Sequence, residues 1–453
     1  MPNENSPLVL GTEKISKLLL HYAIPAIIAM TSASLYNIID SIFIGHGVGP
    51  LGIAGLAIAL PLMNLASAFG SMVGIGASSL MSIKLGQNDM KSAHSILGNV
   101  VLLNTIVGLS FTAVTLTFLD PILYFFGASE VTIPYARDFM RIILAGNVVT
   151  HIYLGLNDML RASGYPTKAM FVMLTAVVCN CIFNPLLIFG FGWGIQGSAT
   201  ATVIAQTVAM SIELHHFSCR KSFIHFQRSI FRLKAKIVRG ILSIGLAPFL
   251  LNVCASIVVI FINNALKNNG GDLYIGAYGI VNRVVLLFVM VVAGLNLGMQ
   301  PIVGYNYGAR KYDRVKRTLR QDILVATCVT TAGFLLSHIF PVQISMLFTT
   351  NEELLAVAEQ GLKVVTIVFP LVGFQIVTSS FFQSIGKAQK AIFLSLTRQM
   401  LFLIPLLAIL PSHLGSLGVW VSMPIADTMA VILAAVLLTR QMKKFREEEA
   451  LQL

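Results

Sequence analysis

Charge is what this chain has least of. Only 11% of its 453 residues are Asp, Glu, Lys or Arg, where a soluble domain carries about 25%, while 56% are hydrophobic. So few charges cannot clothe several water-soluble domains, which argues against a cytosolic enzyme and places the chain in a bilayer. Cysteine is also sparse. The five residues Cys179, Cys181, Cys219, Cys254 and Cys328 lie in or beside apolar segments without paired spacing, so no disulfide framework is expected. No His or Cys pair joins Cys179 and Cys181 to complete a metal site. A phosphate loop is missing too, Gly386-Lys387 being followed by Ala, and neither His-Glu-x-x-His nor Gly-x-Ser-x-Gly occurs. Neither an ATP-driven pump nor a membrane-embedded enzyme is expected, and no cofactor.

What is present in abundance is long apolar sequence. Twelve stretches can cross about 30 Å of hydrocarbon. They lie near 17–45, 53–82, 95–119, 132–160, 168–190, 195–218, 240–266, 275–305, 321–341, 354–382, 391–411 and 417–439. Runs this long exclude barrel strands, and backbone groups in lipid must be satisfied internally, so the expected fold is an all-α integral membrane bundle of twelve transmembrane helices. The first sixteen residues are polar and no small-residue cleavage pattern follows, so no removable signal is expected.

Most of the 31 Lys and Arg fall on one side of this arrangement, concentrated in Arg220 to Arg239, Arg310 to Arg320 and the C-terminal tail. The opposite loops hold Lys267. This asymmetry places both termini in the cytoplasm, and a bacterial-type inner membrane is the expected location. Anionic lipid headgroups, and not nucleic acid, are the expected neighbours of the basic loops.

Shifting the sequence by 220 to 224 residues lays it on itself. Pro25 meets Pro248, Gly76 meets Gly298 and Gly86 meets Gly308. In the block from Gly164 to Thr175, six of twelve positions agree with Gly386 to Thr397. An even number of spans per unit gives two six-helix lobes in the same orientation, related by a parallel internal repeat. The expected organisation is an N-terminal lobe over 1–218, a basic cytoplasmic linker over 219–239 and a C-terminal lobe with a tail over 240–453. A binding site is expected between the lobes, and bending is expected at Pro25 and Pro248.

Asp40 reads as the only carboxylate deep in the first half, and burying its charge costs at least a few kcal/mol unless it pairs or meets water. Span one carries Thr31, Ser34, Asn37, Asp40 and Ser41 at helical spacing; span five places Asn180 and Asn184 on one face; span six does so with Thr202, Gln206 and Glu213. At about 1.5 Å per residue, Asp40, Asn184 and Thr202 lie roughly 8 to 10 Å inside the outer boundary and can meet at one level. One carboxylate among neutral oxygens suits a proton or Na⁺. The repeat sets Asn263 opposite Asp40, so the titratable group belongs to the first half. In the second half Arg398 and Asp427 are expected to pair, and Arg283, with Asn282, is either a snorkelling or paired arginine or a candidate contact for anionic substrate groups.

These features together resemble the multidrug and toxic compound extrusion (MATE) family over essentially the whole chain. The resemblance rests on Ile24-Pro25 leading to Asn37-Ile-Ile-Asp40, Gly74 to Gly86, Arg161-Ala-Ser-Gly164, Asn180 through Asn184-Pro185, Gly197 to Thr202, Ile244 to Pro248, Ala277 to Arg283 and Gln300 to Gly308. It implies a secondary active multidrug efflux antiporter that exports amphipathic, often cationic compounds in exchange for H⁺ or Na⁺ by alternating access. Asp40 is then the main coupling group, with Asn180, Asn184 and Thr202 around it, and Asp40, Asn180 and Thr202 are the Na⁺ ligands if sodium is the ion. Tyr36, Asn37, Gln206, Asn263, Arg283 and Gln300 are the candidate substrate contacts. Members with a first-lobe ion site commonly carry a second carboxylate where Asn184 stands, and that lost charge favours protons. A lipid or lipid-linked oligosaccharide flippase of related architecture is the alternative. Nothing in the sequence calls for an oligomer, so a monomer is expected.

Overall fold

The computed structural model describes residues 7–220 and 222–450, and among them every long regular element is a helix. In the first half these are α1 (Ile15–Gly47), α2 (Pro50–Gly86), α3 (Met90–Thr117), the short α4 (Leu119–Phe125), α5 (Ile133–Ala145), α6 (Asn147–Ala162), α7 (Pro166–Pro185) and α8 (Gly194–Ser218). The second half runs through Ala235–Gly271, Leu273–Gly308, Tyr312–Ile339, the bent pair Glu352–Val365 and Phe369–Ser384, Ala388–Leu414 and Ser416–Ala450. Among the described residues nine helices are long and apolar enough to cross a membrane unaided. Two bent pairs each supply one more, and α8 completes the twelve expected spans. At 25 residues α8 is long enough, but Gln196, Ser198, Thr200, Thr202, Gln206 and Thr207 keep it out of the apolar set.

The internal repeat is written into the backbone. α5 and α6 meet at 54°, and their counterparts Glu352–Val365 and Phe369–Ser384 at 57°. Asn88 and Arg310, 222 positions apart in sequence, both adopt a left-handed φ of 57°. A π-helical turn, Leu186–Gly190, follows Pro185, and another, Thr397–Leu403, precedes Pro405. Proline removes a backbone donor, and a widened turn is one way a membrane helix absorbs that loss.

Contacts divide the chain into two units. One comprises Ile24–Phe249 with the segment up to Glu13; the other comprises Lys14–Ala23 and Leu250–Leu453. Two of the boundaries fall inside helices, beside Pro25 and Pro248, and α1 continues through Pro25. In the first unit α2 packs on α3, α5 and α6, and α8 on α5, α6 and α7, around buried Leu56, Phe139, Met140 and Leu144. In the second, Trp420 is fully buried with Tyr278, Leu362 and Val419. Outward-facing Leu20, Leu109, Ile182, Leu287, Leu401 and Ile432 are exposed, the pattern of helices whose outer solvent is hydrocarbon.

The segment after α8 is held against α3. The buried Asn99 amide donates to the Arg232 carbonyl at 3.1 Å and accepts from the Lys234 backbone N–H at 3.0 Å, while Lys234 Nζ donates to Ser95 Oγ at 2.7 Å. Residues 228–234 form a strap on the first unit.

Candidate functional site

Asp40 lies on α1 and is 6% exposed. Its Oδ1 accepts from Asn184 Nδ2 and, at 2.6 Å, from Ser198 Oγ. Among the described residues these partners are neutral, an amide from α7 and a hydroxyl from α8. Both donors address the same oxygen, so Oδ2 is left without one among the described residues. Asn184 is the last residue before Pro185 and the π-helical turn, so its side chain leaves the helix where the backbone widens. Gly197 brings α8 close to that turn: a Cβ there would stand 3.0 Å from the Leu187 carbonyl carbon. Ser198, the next residue, thereby reaches Asp40.

The network extends one layer further. Asn184 Nδ2 also donates to Asn180 Oδ1 at 3.3 Å, and Asn180 Nδ2 donates to Tyr36 Oη and to Thr202 Oγ1, each at 3.2 Å. Thr202 Oγ1 donates to the Ser198 carbonyl at 3.1 Å and lies 2.8 Å from Tyr36 Oη. A hydroxyl has one hydrogen; with Thr202's spent on Ser198, Tyr36 is the donor in that pair. Asn184 Oδ1 is buried without a hydrogen-bond partner among the described residues, a neutral oxygen beside the carboxylate. The arrangement offers one carboxylate and several neutral oxygens, the donor set of a proton site or of a hard monovalent cation.

The structure thus brings together Asp40, Asn180, Asn184, Thr202 and Tyr36. Gln206, one turn along α8, accepts from Thr150 Oγ1 at 2.5 Å. The Asn37 side chain lies outside the described residues. Of the second-half candidates, Asn263 is half-buried, Arg283 is exposed and Gln300 is buried. Arg398, in the second π-helical turn, donates through Nε to Asp427 Oδ1 at 2.6 Å, the expected pair.

Two sequence expectations are corrected. Asp40 is not the only carboxylate deep in the first half: Asp158 is 6% exposed and Glu213 fully buried. Asp158 is held by Arg161 one turn away, and Glu213 by Asn157, so apolar surroundings are tolerated through local polar partners. The helix expected from residue 321 begins at Tyr312, and Asp322 lies within it. That residue is fully buried with neither carboxyl oxygen hydrogen-bonded among the described residues. Sequence reasoning also missed Ser198, although its spacing of four from Thr202 puts both on one face of α8.

Two repeated sets of six helices with a neutral-partnered acid buried in the first define a polytopic membrane protein. The profile of the MatE family matches residues 25–186 and 244–409, so the chain belongs to that family. It is 28% identical over 425 residues to the multidrug export protein MepA of Staphylococcus haemolyticus, covering 93% of this chain and 92% of that protein. The Staphylococcus aureus protein of the same name is 26% identical over 428 residues, 93% of this chain and 92% of that protein. Among solved structures, the MATE multidrug transporter DinF-BH is 37% identical, with a TM-score of 0.87 over 95% of this chain and 96% of that one. A MATE structure in the bent conformation superposes with a TM-score of 0.92 at 24% identity, covering 98% of this chain and 99% of that one, which extends the likeness in fold.

Proposed function

We propose that the chain is a secondary active exporter that expels amphipathic, often cationic organic compounds in exchange for H⁺ or Na⁺ by alternating access, with Asp40 as the main coupling group. The observation that carries this reading is the company Asp40 keeps: a buried carboxylate held by a neutral amide and a neutral hydroxyl. A fixed guanidinium would neutralise the acid permanently. Neutral donors leave it free to ionise, to take a proton, or to bind a hard cation. Ionised, Asp40 attracts a cationic compound; neutralised by the entering ion, it loses that attraction and the compound leaves.

The names of the relatives, multidrug export proteins and a multidrug transporter, support small organic molecules as the cargo. Tyr36, Asn37, Gln206, Asn263, Arg283 and Gln300 are the proposed contacts with it. Protons are favoured over Na⁺ because Asn184 adds no second negative charge beside Asp40. If Na⁺ is the ion, Asp40, Asn180 and Thr202 supply oxygens to it. The reading places both termini in the cytoplasm of an inner membrane, with the basic segments facing anionic lipids and the chain acting as a monomer.

Efflux of ethidium, a fluorescent aromatic cation, from proteoliposomes under separately imposed proton and Na⁺ gradients tests this. Wild-type protein is expected to respond to one gradient and Asp40→Asn to neither. An Asp40→Asn variant driven at the wild-type rate by either gradient overturns the coupling role.

A further inference from the structure

A second cluster of ionisable groups lies in the first unit, away from Asp40. Asn157, Asp158 and Arg161 come from the last turns of α6 and Glu213 from α8, none more than 8% exposed. The Arg161 guanidinium donates through Nη2 to Asp158 Oδ1 and through Nη1 to Asn157 Oδ1 at 2.6 Å. A guanidinium can only donate, so the Asn157 oxygen must face it and the NH₂ must face away. That NH₂ donates to Glu213 Oε1 and to the Ala169 carbonyl, each at 3.0 Å. Glu213 Oε2 is buried with no hydrogen-bond partner among the described residues.

Counting charges separates the two acids. Two carboxyl groups share one guanidinium, and Asp158 holds it by direct contact. Glu213 receives a single neutral N–H, and Arg161 reaches it by no direct bond among the described residues. An ionised carboxylate stripped of water in this way is costly, whereas a carboxylic acid keeps its bond from Asn157 and carries its hydrogen on Oε2. Titratable groups nearby among the described residues include Tyr153 on α6, His216 on α8 and Lys168 on α7. Lys168 is turned to His216, its Nζ lying 2.8 Å from His216 Nδ1. Along α8, Ser198 and Thr202 of the Asp40 network, then Gln206, then Glu213 follow at spacings of four, four and seven residues, a single face of the helix.

We propose that Glu213 is a second proton-binding group of the transport cycle. It holds a proton in the state described and releases it to water in another state; the charge left behind competes with Asp158 for Arg161 through the Asn157 amide. The proposal rests on the exporter reading above and adds a titrating site to it at the other end of α8.

Difference infrared spectroscopy of the purified full chain after a pH step tests this without transport. A protonated-carboxyl band is expected in wild type, persisting in Asp40→Asn and disappearing in Glu213→Gln. Glutamine preserves the acceptor for Asn157 and mimics the neutral acid, so the variant is expected to fold. Its ethidium efflux under a proton gradient is expected to fall by at least about tenfold, because a group that cannot release its proton stalls the cycle. Asn157→Ser supplies a second arm, shifting the same band while leaving Glu213 in place. Wild-type efflux by Glu213→Gln, or an infrared difference spectrum identical to wild type, overturns the proposal. Failure of wild-type protein to move ethidium under any gradient would instead refute the exporter reading and leave the infrared result standing.

Discussion

Ser198 donates its hydroxyl hydrogen to Asp40 Oδ1 across 2.6 Å, from the helix that also carries Thr202. A hydrogen bond to a charged group contributes about 1.5 to 3 kcal/mol, and losing it leaves the buried carboxylate with the Asn184 amide as its one remaining donor among the described residues. Ser198→Ala is therefore expected to lower ion-driven ethidium efflux about tenfold or more, while Ser198→Thr, which keeps the hydroxyl, retains most of it. Equal efflux by both variants would show that the bond is dispensable.

Asn184 controls how much negative charge the site holds. Asn184→Asp sets a second carboxylate against the first, and two acids this close are best reconciled by a bound cation. The variant is expected to gain Na⁺-stimulated efflux relative to wild type, measured in proteoliposomes with Na⁺ or choline outside. No change in Na⁺ response would mean that the amide is not the group deciding between ions.

Glycine at repeat-related positions lets helix backbones touch. A Cβ at Gly76 would stand 2.1 Å from the Ile241 carbonyl oxygen, and one at Gly298 would stand 2.7 Å from the Ala23 backbone. Backbone cannot rotate out of the way, so Gly76→Ala and Gly298→Ala are each expected to destabilise by about 1 to 3 kcal/mol. A lowered midpoint of thermal unfolding in detergent checks this, with Gly279→Ala, where a Cβ meets open space, as the control.

Asn99 holds both ends of one peptide segment. Asn99→Ala removes the bonds to Arg232 and Lys234 together, and the strap over 228–234 is expected to become a protease-sensitive loop. Limited trypsinolysis of the full chain, followed by mass analysis of the first cut, reads this directly. Resistance equal to wild type would show that the strap is held by other contacts.

Lys387 lies in the turn before Ala388–Leu414, where burial and the nearby Lys390 and Lys444 ammonium groups push its pKa down to about 8. The folded state disfavours the charged amine, so this cost is fully present below about 8 and is relieved as the pH rises from there towards 10.5. Stability is expected to increase over that window, and less so in Lys387→Met. Titration of the ¹³C-dimethylated lysines by NMR should show one resonance with its midpoint near 8 that Lys387→Met removes.

The scaffold was legible because its rules are local or repetitive. Apolar length gave the spans, and the Gly164 and Gly386 blocks gave the repeat, since one backbone path built twice demands similar residues at the same bends. The pairing of Arg398 with Asp427 was legible as charge balance. The Asp40 network was partly so: Asn180, Asn184 and Thr202 stand out by helical spacing, whereas Ser198 is a small hydroxyl in a run of small residues and gains its meaning from the close approach at Gly197. Glu213 was seen as part of a stripe, but its neutral partner Asn157 belongs to another helix, and no periodicity within one helix encodes a contact between two. The start of the helix at Tyr312 was misplaced because hydropathy ends a span at the first charges, while the helix itself carries on through them.

The contact boundaries beside Pro25 and Pro248 bear on how the chain can be cut. Lys14–Ala23 belongs with the later helices, and the stretch from Ala235 to Phe249 with the earlier ones. A gene divided between α8 and Ala235 would yield two fragments, each missing a strip of its own packing and carrying one that fits elsewhere. Such halves should be recovered in folded form only when co-expressed, since each completes the other's interior.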